Sequence, residues 1–209
     1  MIKMKKVLLE PIFPMLLLWL TVLTMTACVT DGEESPVRED EYYLKFKVGG
    51  VEKKFTALPN SMVSFFYLED AKMFGGQISG INNIQEPARN FVTIQLFNET
   101  AYQPHLSYQQ QDPVTVDLIS RVRIIFTYAD ENGRVYNAAL LKAQHPNLDI
   151  KDEAEVRFTE LAPAYVKGTF SARVGEVNFT VLSNREELLI TEGEFYLRRN
   201  DAPTYINDK

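Results

Sequence analysis

The chain lacks most of the residues from which metal and catalytic sites are built. Its 209 residues include one cysteine, two histidines and one tryptophan. His105 and His145 each lie beside a proline and have no second ligand at helical or hairpin spacing, whereas zinc needs three or four convergent ligands. There is also no Gly-x-Ser-x-Gly nucleophile elbow. The sequence therefore predicts no metal, no cofactor and no enzyme.

Positive charge and long apolar runs are scarce as well. The apolar run from Ile12 to Leu23 is interrupted by Pro14 and Thr21, and it is shorter than the roughly 20 residues that cross a bilayer. Residues 1–27 contain three of the 22 basic and one of the 28 acidic residues, so residues 28–209 carry a net charge of −8. Such an acidic chain is not expected to bind nucleic acid, or to bind anionic lipid through charge.

The N-terminus has the order of a secretory signal. Lys3, Lys5 and Lys6 precede the apolar run, and the segment Thr24 to Ala27 follows it. This order of charged, apolar and small residues predicts a signal peptide over residues 1–27. A transmembrane anchor is the alternative, and the short apolar run argues against it.

Cys28 follows this signal directly. The segment Leu23-Thr24-Met25-Thr26-Ala27-Cys28 resembles a lipobox, the site where signal peptidase II cuts before a diacylated cysteine, although Met25 replaces the usual leucine. A lone cysteine in an exported chain has no disulfide partner and would otherwise be a reactive thiol. Each acyl CH₂ buried in a membrane contributes about 0.8 kcal/mol to anchoring. We therefore predict lipidation at Cys28 and attachment to the outer membrane of a cell envelope.

Residues 28–40 are predicted to form a flexible acidic tether. Gly32 and Pro36 disfavour regular structure, and there is little apolar surface to bury. The acidic residues in this stretch resemble the surface-export signal of Bacteroidetes lipoproteins, and an ordinary solvated linker is the alternative. They are Asp31, Glu33, Glu34, Glu39 and Asp40.

Residues 41–209 are predicted to form a single all-β domain. Leu44, Phe46 and Val48 alternate with polar residues, and Gly49-Gly50 permits the positive φ of a tight hairpin turn. Hairpin spacing favours an antiparallel β-sandwich or a half-open barrel of about ten strands. The further strands are expected at 61–68, 72–79, 91–97, 122–128, 134–137, 156–161, 166–174, 177–181, 188–191 and 194–198.

Three local features carry separate predictions. Gly75-Gly76 lies inside a strand and indicates a bulge or a tight bend. Gly175-Glu176 suits a type II′ turn because glycine comes first. Ala138 to Gln144 is the one stretch with helical propensity, and His145-Pro146 would end it.

Several segments resemble a family of uncharacterised Bacteroidetes lipoproteins. Tyr165-Val-Lys-Gly-Thr-Phe-Ser171 and Ile190-Thr-Glu-Gly-Glu-Phe195 resemble the two C-terminal strands of that family. Tyr42 to Ala57 is similar to its N-terminal hairpin, and Tyr128 to Tyr136 matches its turn loosely. These pieces cover about a third of the chain. The resemblance implies an envelope location and an all-β fold, and it implies no catalytic residue.

The loop from Asn98 to Pro113 is the most suggestive segment for binding. It is long for a loop in a compact β domain, and such loops often bind ligands. Tyr102, His105, Tyr108 and Gln109 offer aromatic faces and hydrogen-bonding groups for a sugar or a peptide. The alternative is a polar crossover whose tyrosines cover the sheet edge.

Carboxylates near the C-terminus offer a weaker indication. Glu192 and Glu194 would share one face of a strand, which is typical of a solvated face more often than of a glycosidase pair. Asp149, Asp152 and the two glutamates at 153 and 155 have oxygens for calcium, but their spacing is not that of an EF-hand.

Composition and motifs together favour a lipid-anchored binding or interaction module. Its partner would be a glycan, a peptide or a neighbouring envelope protein. The alternative is a carrier that holds a small apolar molecule in a lipocalin-like cavity. A wide cavity would favour the carrier, and a filled core would favour the interaction module. An enzyme ranks third, because it would need His105 or His145 beside a carboxylate in a pocket.

Overall fold

The computed structural model describes residues 42–56, 61–177 and 185–200. The predicted signal peptide, Cys28 and the tether lie outside these ranges. Within them no helix has the length and apolarity to cross a membrane. The strands in chain order are β1 Tyr43–Val48, β2 Val51–Thr56, β3 Met62–Leu68, β4 Met73–Ile81, β5 Phe91–Asn98, β6 Ser107–Gln109, β7 Val114–Val116, β8 Ile119–Arg121, β9 Ile124–Ala129, β10 Val135–Ala138, β11 Glu153–Leu161, β12 Tyr165–Glu176 and β13 Glu187–Arg199.

Eleven of these strands form one hydrogen-bonded sheet that folds into two layers. Sheet I has the order β2-β1-β13-β12-β11-β6, and sheet II has the order β3-β4-β5-β9-β10. The layers join where β13 runs parallel to β3 at Arg198 and Met62, and where β10 pairs with β12 at Asn137 and Gly175. Strands β7 and β8 form a separate hairpin. The predicted all-β fold, a sandwich or a barrel, is confirmed.

Aromatic rings occupy the space between the two sheets. Period-two alternation turns every second side chain inward, as the burial of β5 and β12 shows. Phe46 of sheet I lies 5.8 Å from Tyr128 of sheet II between ring centroids, and Phe65 lies 5.6 Å from Phe158. Such edge-on ring pairs add about 0.5–1.5 kcal/mol each beyond the area they bury. The interior is therefore packed with side chains where a carrier would need space.

Two glycine predictions have opposite outcomes. Gly49 and Gly50 have φ of 55° and 87° and close the β1–β2 hairpin, as predicted. The bulge predicted at Gly75-Gly76 is wrong, because the register with both neighbouring strands runs unbroken through these residues. Gly75 instead makes room for a ring, since a Cβ there would lie 2.1 Å from Cε2 of Phe66.

The turn predicted at Gly175-Glu176 is also wrong. Both residues belong to β12, which extends far enough to pair with β10 as well as with β13. The predicted return strand at 177–181 lies almost wholly outside the described residues. Side chains that face the core at both ends of β12 favour this longer strand over a two-residue turn.

Other predicted elements differ in their extent. The strands predicted at 188–191 and 194–198 are one strand, β13, with an irregular step at Glu192. The helical stretch at Ala138–Gln144 reduces to one 3-10 turn, Lys142–Gln144. Three short strands, β6, β7 and β8, were not predicted and bring the number above ten. Short strands escape periodicity because three residues cannot establish a period of two.

Candidate functional site

The two tyrosines predicted to bind a ligand are core residues. Tyr102 is 0% exposed and Tyr108 is 6% exposed. Both rings pack against Phe158, at 5.6 and 5.9 Å between centroids. The Tyr102 hydroxyl donates to the carbonyl of Phe74 at 3.2 Å, and the Tyr108 hydroxyl accepts from the amide of Gln103 at 2.9 Å. Burial raises the pKa of both phenols. These rings support the alternative in which the tyrosines pack against the sheet.

The histidines do not form a catalytic arrangement. His105 is exposed with φ of 67°, and its amide donates to the carbonyl of Phe158 at 2.7 Å. His145 ends the 3-10 turn. Across the described ranges neither histidine forms an ion pair with a carboxylate, and no group of three His, Cys, Asp or Glu side chains is placed to hold a metal ion.

The three consecutive glutamines have different environments. Gln110 is fully buried, and its amide nitrogen donates to the carbonyl of Leu140 at 2.9 Å. Gln111 donates to the carbonyl of Asp152 at 2.7 Å and accepts from the amide of Lys142 at 3.0 Å. These two side chains connect Leu140 and Lys142 to Asp152, the residue that precedes β11. Gln109, the fourth predicted binding residue, faces solvent on β6.

A trough runs along β12 on the outer face of sheet I, the face turned away from sheet II. It consists of a depression of about 550 Å³ and an adjoining one of about 370 Å³, which share Glu155 and Ser171. Four strands contribute its walls and floor. The residues that define the trough are Gln109, Glu155, Thr169, Ser171, Arg173 and Thr191.

The trough exists because short side chains lie between longer ones. Thr169 and Ser171 form the floor on β12. In the register of the sheet, Ser171 lies opposite Glu155 of β11, and Thr169 lies between Arg157 and Glu194. From Thr169 to Arg173 the floor is about 13 Å long at about 3.3 Å per residue. An extended ligand of two or more linked rings or residues can therefore lie along this floor.

An irregularity in β13 shapes one rim of the trough. Glu192 has φ of 52°, a left-handed conformation that few residues other than glycine adopt. The register shifts here against both β1 and β12, which identifies a β-bulge in the middle of the sheet. Bulges re-aim side chains and are frequent beside functional sites. Here the extra residue leaves both Thr191 and Glu192 on the side of the trough, and Glu192 shares its rim with Glu194.

Most carboxylates around the trough are neutralised by lysines. Lys142 lies 2.7 Å from Glu153, and this hydrogen bond lowers the pKa of the carboxyl group. Lys47 lies 2.7 Å from Glu192. Lys45 lies 2.8 Å from Glu194, whose hydrogen bond raises the pKa of the ammonium group.

Among the residues that the structure describes, Glu155 has a neutral partner and no cationic one. Its Oε1 accepts a hydrogen bond from the Ser107 hydroxyl at 2.6 Å. At the far end of the floor, Arg173 lies 3.8 Å from Glu187. The trough as a whole thus combines polar and apolar surface, Leu189 included, and it is rich in hydrogen-bonding groups and close to neutral.

No known protein family, curated protein or solved structure matches this chain. Its function must therefore be inferred from the geometry of the trough and from the sequence pattern of the N-terminus.

Sequence reasoning found one wall of the trough and missed its floor. Gln109 was predicted to bind, and Glu192 and Glu194 were correctly expected on one face. Ser171 and Thr169 were missed. These two residues are short and polar and lie on the outward side of β12, next to charged residues of the neighbouring strands. Because those neighbours are distant in sequence, the pattern could be recognised only once the strand order was known.

Proposed function

We propose that this chain is a lipid-anchored binding module that holds a neutral oligosaccharide in the trough. The observation that carries the proposal is the near-neutral, hydroxyl-floored trough on sheet I. Carboxylate, amide and hydroxyl side chains suit the many donors and acceptors of a sugar. The lysine partners of Glu153, Glu192 and Glu194 leave little net charge to attract an ionic ligand.

An aromatic surface next to the trough supports the same ligand class. Tyr43 and Tyr196 are partners in the β1–β13 register, and their ring centroids lie 6.4 Å apart. Both are partly exposed on the outer face, in the row next to Lys45 and Glu194. Partly exposed tyrosines offer an apolar ring and a polar hydroxyl together, a combination common at binding surfaces. Lys45 lies over the Tyr43 ring at 5.4 Å and Lys167 over the Tyr196 ring at 4.9 Å, so a sugar that extends beyond the trough would meet these rings together with their ammonium groups.

The packed interior favours an interaction module over a carrier. The ring of Phe170 in sheet I lies 5.7 Å from that of Phe126 in sheet II and 5.8 Å from that of Phe46 in its own sheet. A lipocalin-like carrier needs open space at this position. This packing supports a ligand surface on the outside of the sandwich.

The N-terminal pattern supplies the cellular setting of the proposal. Cys28 would carry the lipid, residues 28–40 would be the tether, and the β domain would stand in water at the outer membrane or on the cell surface. The resemblance to Bacteroidetes lipoproteins supports the same location. Two of the resembling segments, Tyr165–Ser171 and Ile190–Phe195, are neighbours in sheet I and include floor and rim of the trough.

Filling the trough floor is expected to remove sugar binding. The change Ser171→Arg places a long side chain where the ligand would lie, and at least about a tenfold loss of affinity is expected. Isothermal titration of four neutral trisaccharides, maltotriose, cellotriose, mannotriose and tri-N-acetylchitotriose, measures it. Because Ser171 is exposed, stability should change by only about 0.5 kcal/mol.

A matched control is the change Gln95→Arg, at an exposed mid-strand position on the outer face of sheet II. This variant should bind the same trisaccharide as strongly as the unchanged protein does. The proposal is refuted if none of the four trisaccharides binds, or if the two arginine variants bind the trisaccharide equally well.

The change Cys28→Ala is expected to release the protein from the membrane. Without the thiol there is no site for acyl chains, and the acidic body has no other strong attraction to anionic lipid. Membrane fractionation should move most of the protein to the soluble fraction. Mass spectrometry of the unchanged protein should find residue 28 at the N-terminus and acylated. Retention of residues 1–27 in the mature protein would contradict the anchor.

A further inference from the structure

A second depression lies on the opposite side of the sandwich, on the outer face of sheet II. Its volume is about 410 Å³, and its walls are mainly apolar. The middle of this face carries the exposed polar side chains of Gln77 and Gln95. The depression lies at the end of the face beneath the β7–β8 hairpin. We call it the groove, and its apolar walls include Leu68, Met73, Phe97, Val116, Ile119 and Ile125.

The hairpin is fixed in place as one wall of the groove. Val114, at its base, is fully buried, and so is most of Met73 beneath it. Arg123 holds the preceding loop, since its guanidinium donates to the carbonyl of Asp112 at 2.8 Å and to the side chain of Asn98. It also lies 3.4 Å from Glu99, whose carboxylate accepts from the hairpin amide of Thr115. The groove is therefore a built feature of the fold.

The mouth of the groove carries one unpaired positive charge. Arg121 lines the groove and is exposed, and in the described part of the chain it has no ion-pair partner. Next to it, the Gln144 side chain donates to the carbonyl of Ser120 at 2.9 Å, which closes this end of the hairpin. An apolar slot with a single cation at its edge matches a ligand with an alkyl chain and one anionic head.

We infer that the groove binds an amphipathic monocarboxylate with a medium-length alkyl chain. Ligand sites are commonly clefts of about 300–1,000 Å³ with apolar walls and a few polar groups that orient the ligand. The alkyl chain lies between the hairpin and sheet II, and Arg121 binds the carboxylate. A guanidinium is the side chain best matched to a carboxylate, because it can donate two parallel hydrogen bonds. This site is independent of the sugar trough on sheet I.

The test is a titration of the unlipidated domain, residues 41–209, together with the full mature protein, using decanoate and 1-decanol as probes. The change Arg121→Gln should weaken decanoate binding about tenfold and leave 1-decanol binding unchanged. The change Ile119→Ser should weaken both probes, since it removes apolar wall that both contact. Binding is measured by calorimetry and by shifts of methyl NMR signals.

The neighbouring change Leu118→Ser serves as the matched control. Leu118 is 97% exposed at the hairpin tip and does not line the groove, so this variant should bind decanoate normally. The inference is overturned if decanoate does not bind. It is also overturned if phosphatidylcholine vesicles bind in its place and Leu118→Ser abolishes that binding, because the tip would then contact a bilayer. Neither outcome affects the trough.

Discussion

Replacement of Asp152 by alanine is expected to lower the free energy of unfolding by about 3–5 kcal/mol. Asp152 lies 3.2 Å from Arg185, and the two side chains are 6% and 8% exposed. Removing the carboxylate leaves a buried guanidinium without its counter-ion. Two backbone amides also lose their acceptor, since Asp152 binds those of Ala139 and Leu140 at 2.8 and 3.1 Å.

The effect should be large because Arg185 joins several elements. Its guanidinium donates to the carbonyls of Asn137, Gly175 and Glu176 at 2.8, 2.8 and 3.2 Å. These carbonyls lie where β10 meets β12, which is one of the two junctions between the sheets. Loss of the ion pair therefore weakens the closure of the sandwich as well as one loop.

Urea unfolding followed by circular dichroism measures the change. For a domain of this size a loss of 3–5 kcal/mol corresponds to a fall in Tm of about 6–20 °C. The change Asp149→Ala is the control, since that side chain is 80% exposed and should contribute about 0.5 kcal/mol or less. A loss below about 1 kcal/mol for Asp152→Ala would show that the buried pair is not a structural clamp.

The second large effect is expected at Tyr102. The change Tyr102→Ala should cost about 3–5 kcal/mol, as truncation of a fully buried ring normally does. The ring contacts Phe65, Tyr108 and Phe158 at 5.3, 5.3 and 5.6 Å between centroids. The milder change Tyr102→Phe keeps these contacts and loses only the hydrogen bond to Phe74, at a cost of about 1 kcal/mol.

A variant of an exposed residue on the same segment serves as the control for a role of Tyr102 in packing. The change His105→Ala should alter stability by about 0.5 kcal/mol or less, because that side chain is exposed on the same segment. Chemical unfolding of all three variants gives the ranking. If Tyr102→Ala instead has the stability of the unchanged protein and fails to bind the trisaccharide, the ring belongs to the ligand site. The proposed position of that site in the trough would then be wrong.

The 98–113 segment shows why the sequence of a long loop does not indicate whether its side chains bind a ligand or pack in the core. Its tyrosines and glutamines are the residues of both a binding loop and a packed crossover. β6, at Ser107–Gln109, pairs with β11, more than 40 residues further along the chain, and this pairing turns Tyr108 inward and Gln109 outward. Alternation predicts that adjacent residues face opposite sides, but it cannot indicate which side is the core.

Local patterns determined the fold class and the first hairpin. Period-two alternation needs only neighbouring residues, and Gly49-Gly50 needs only its own φ angles, so both could be predicted from the chain itself. The same holds for the prediction of export and lipidation at Cys28, which depends on a contiguous run of about thirty residues.

Only the tertiary structure decided where the candidate sites lie. The trough joins β6, β11, β12 and β13, and the groove joins a hairpin to the outer face of sheet II; the sequence does not specify either juxtaposition. The physical reason is that strand order and register are set by long-range packing of the core. A short side chain such as Ser171 becomes a floor only when its neighbours on adjacent strands are long.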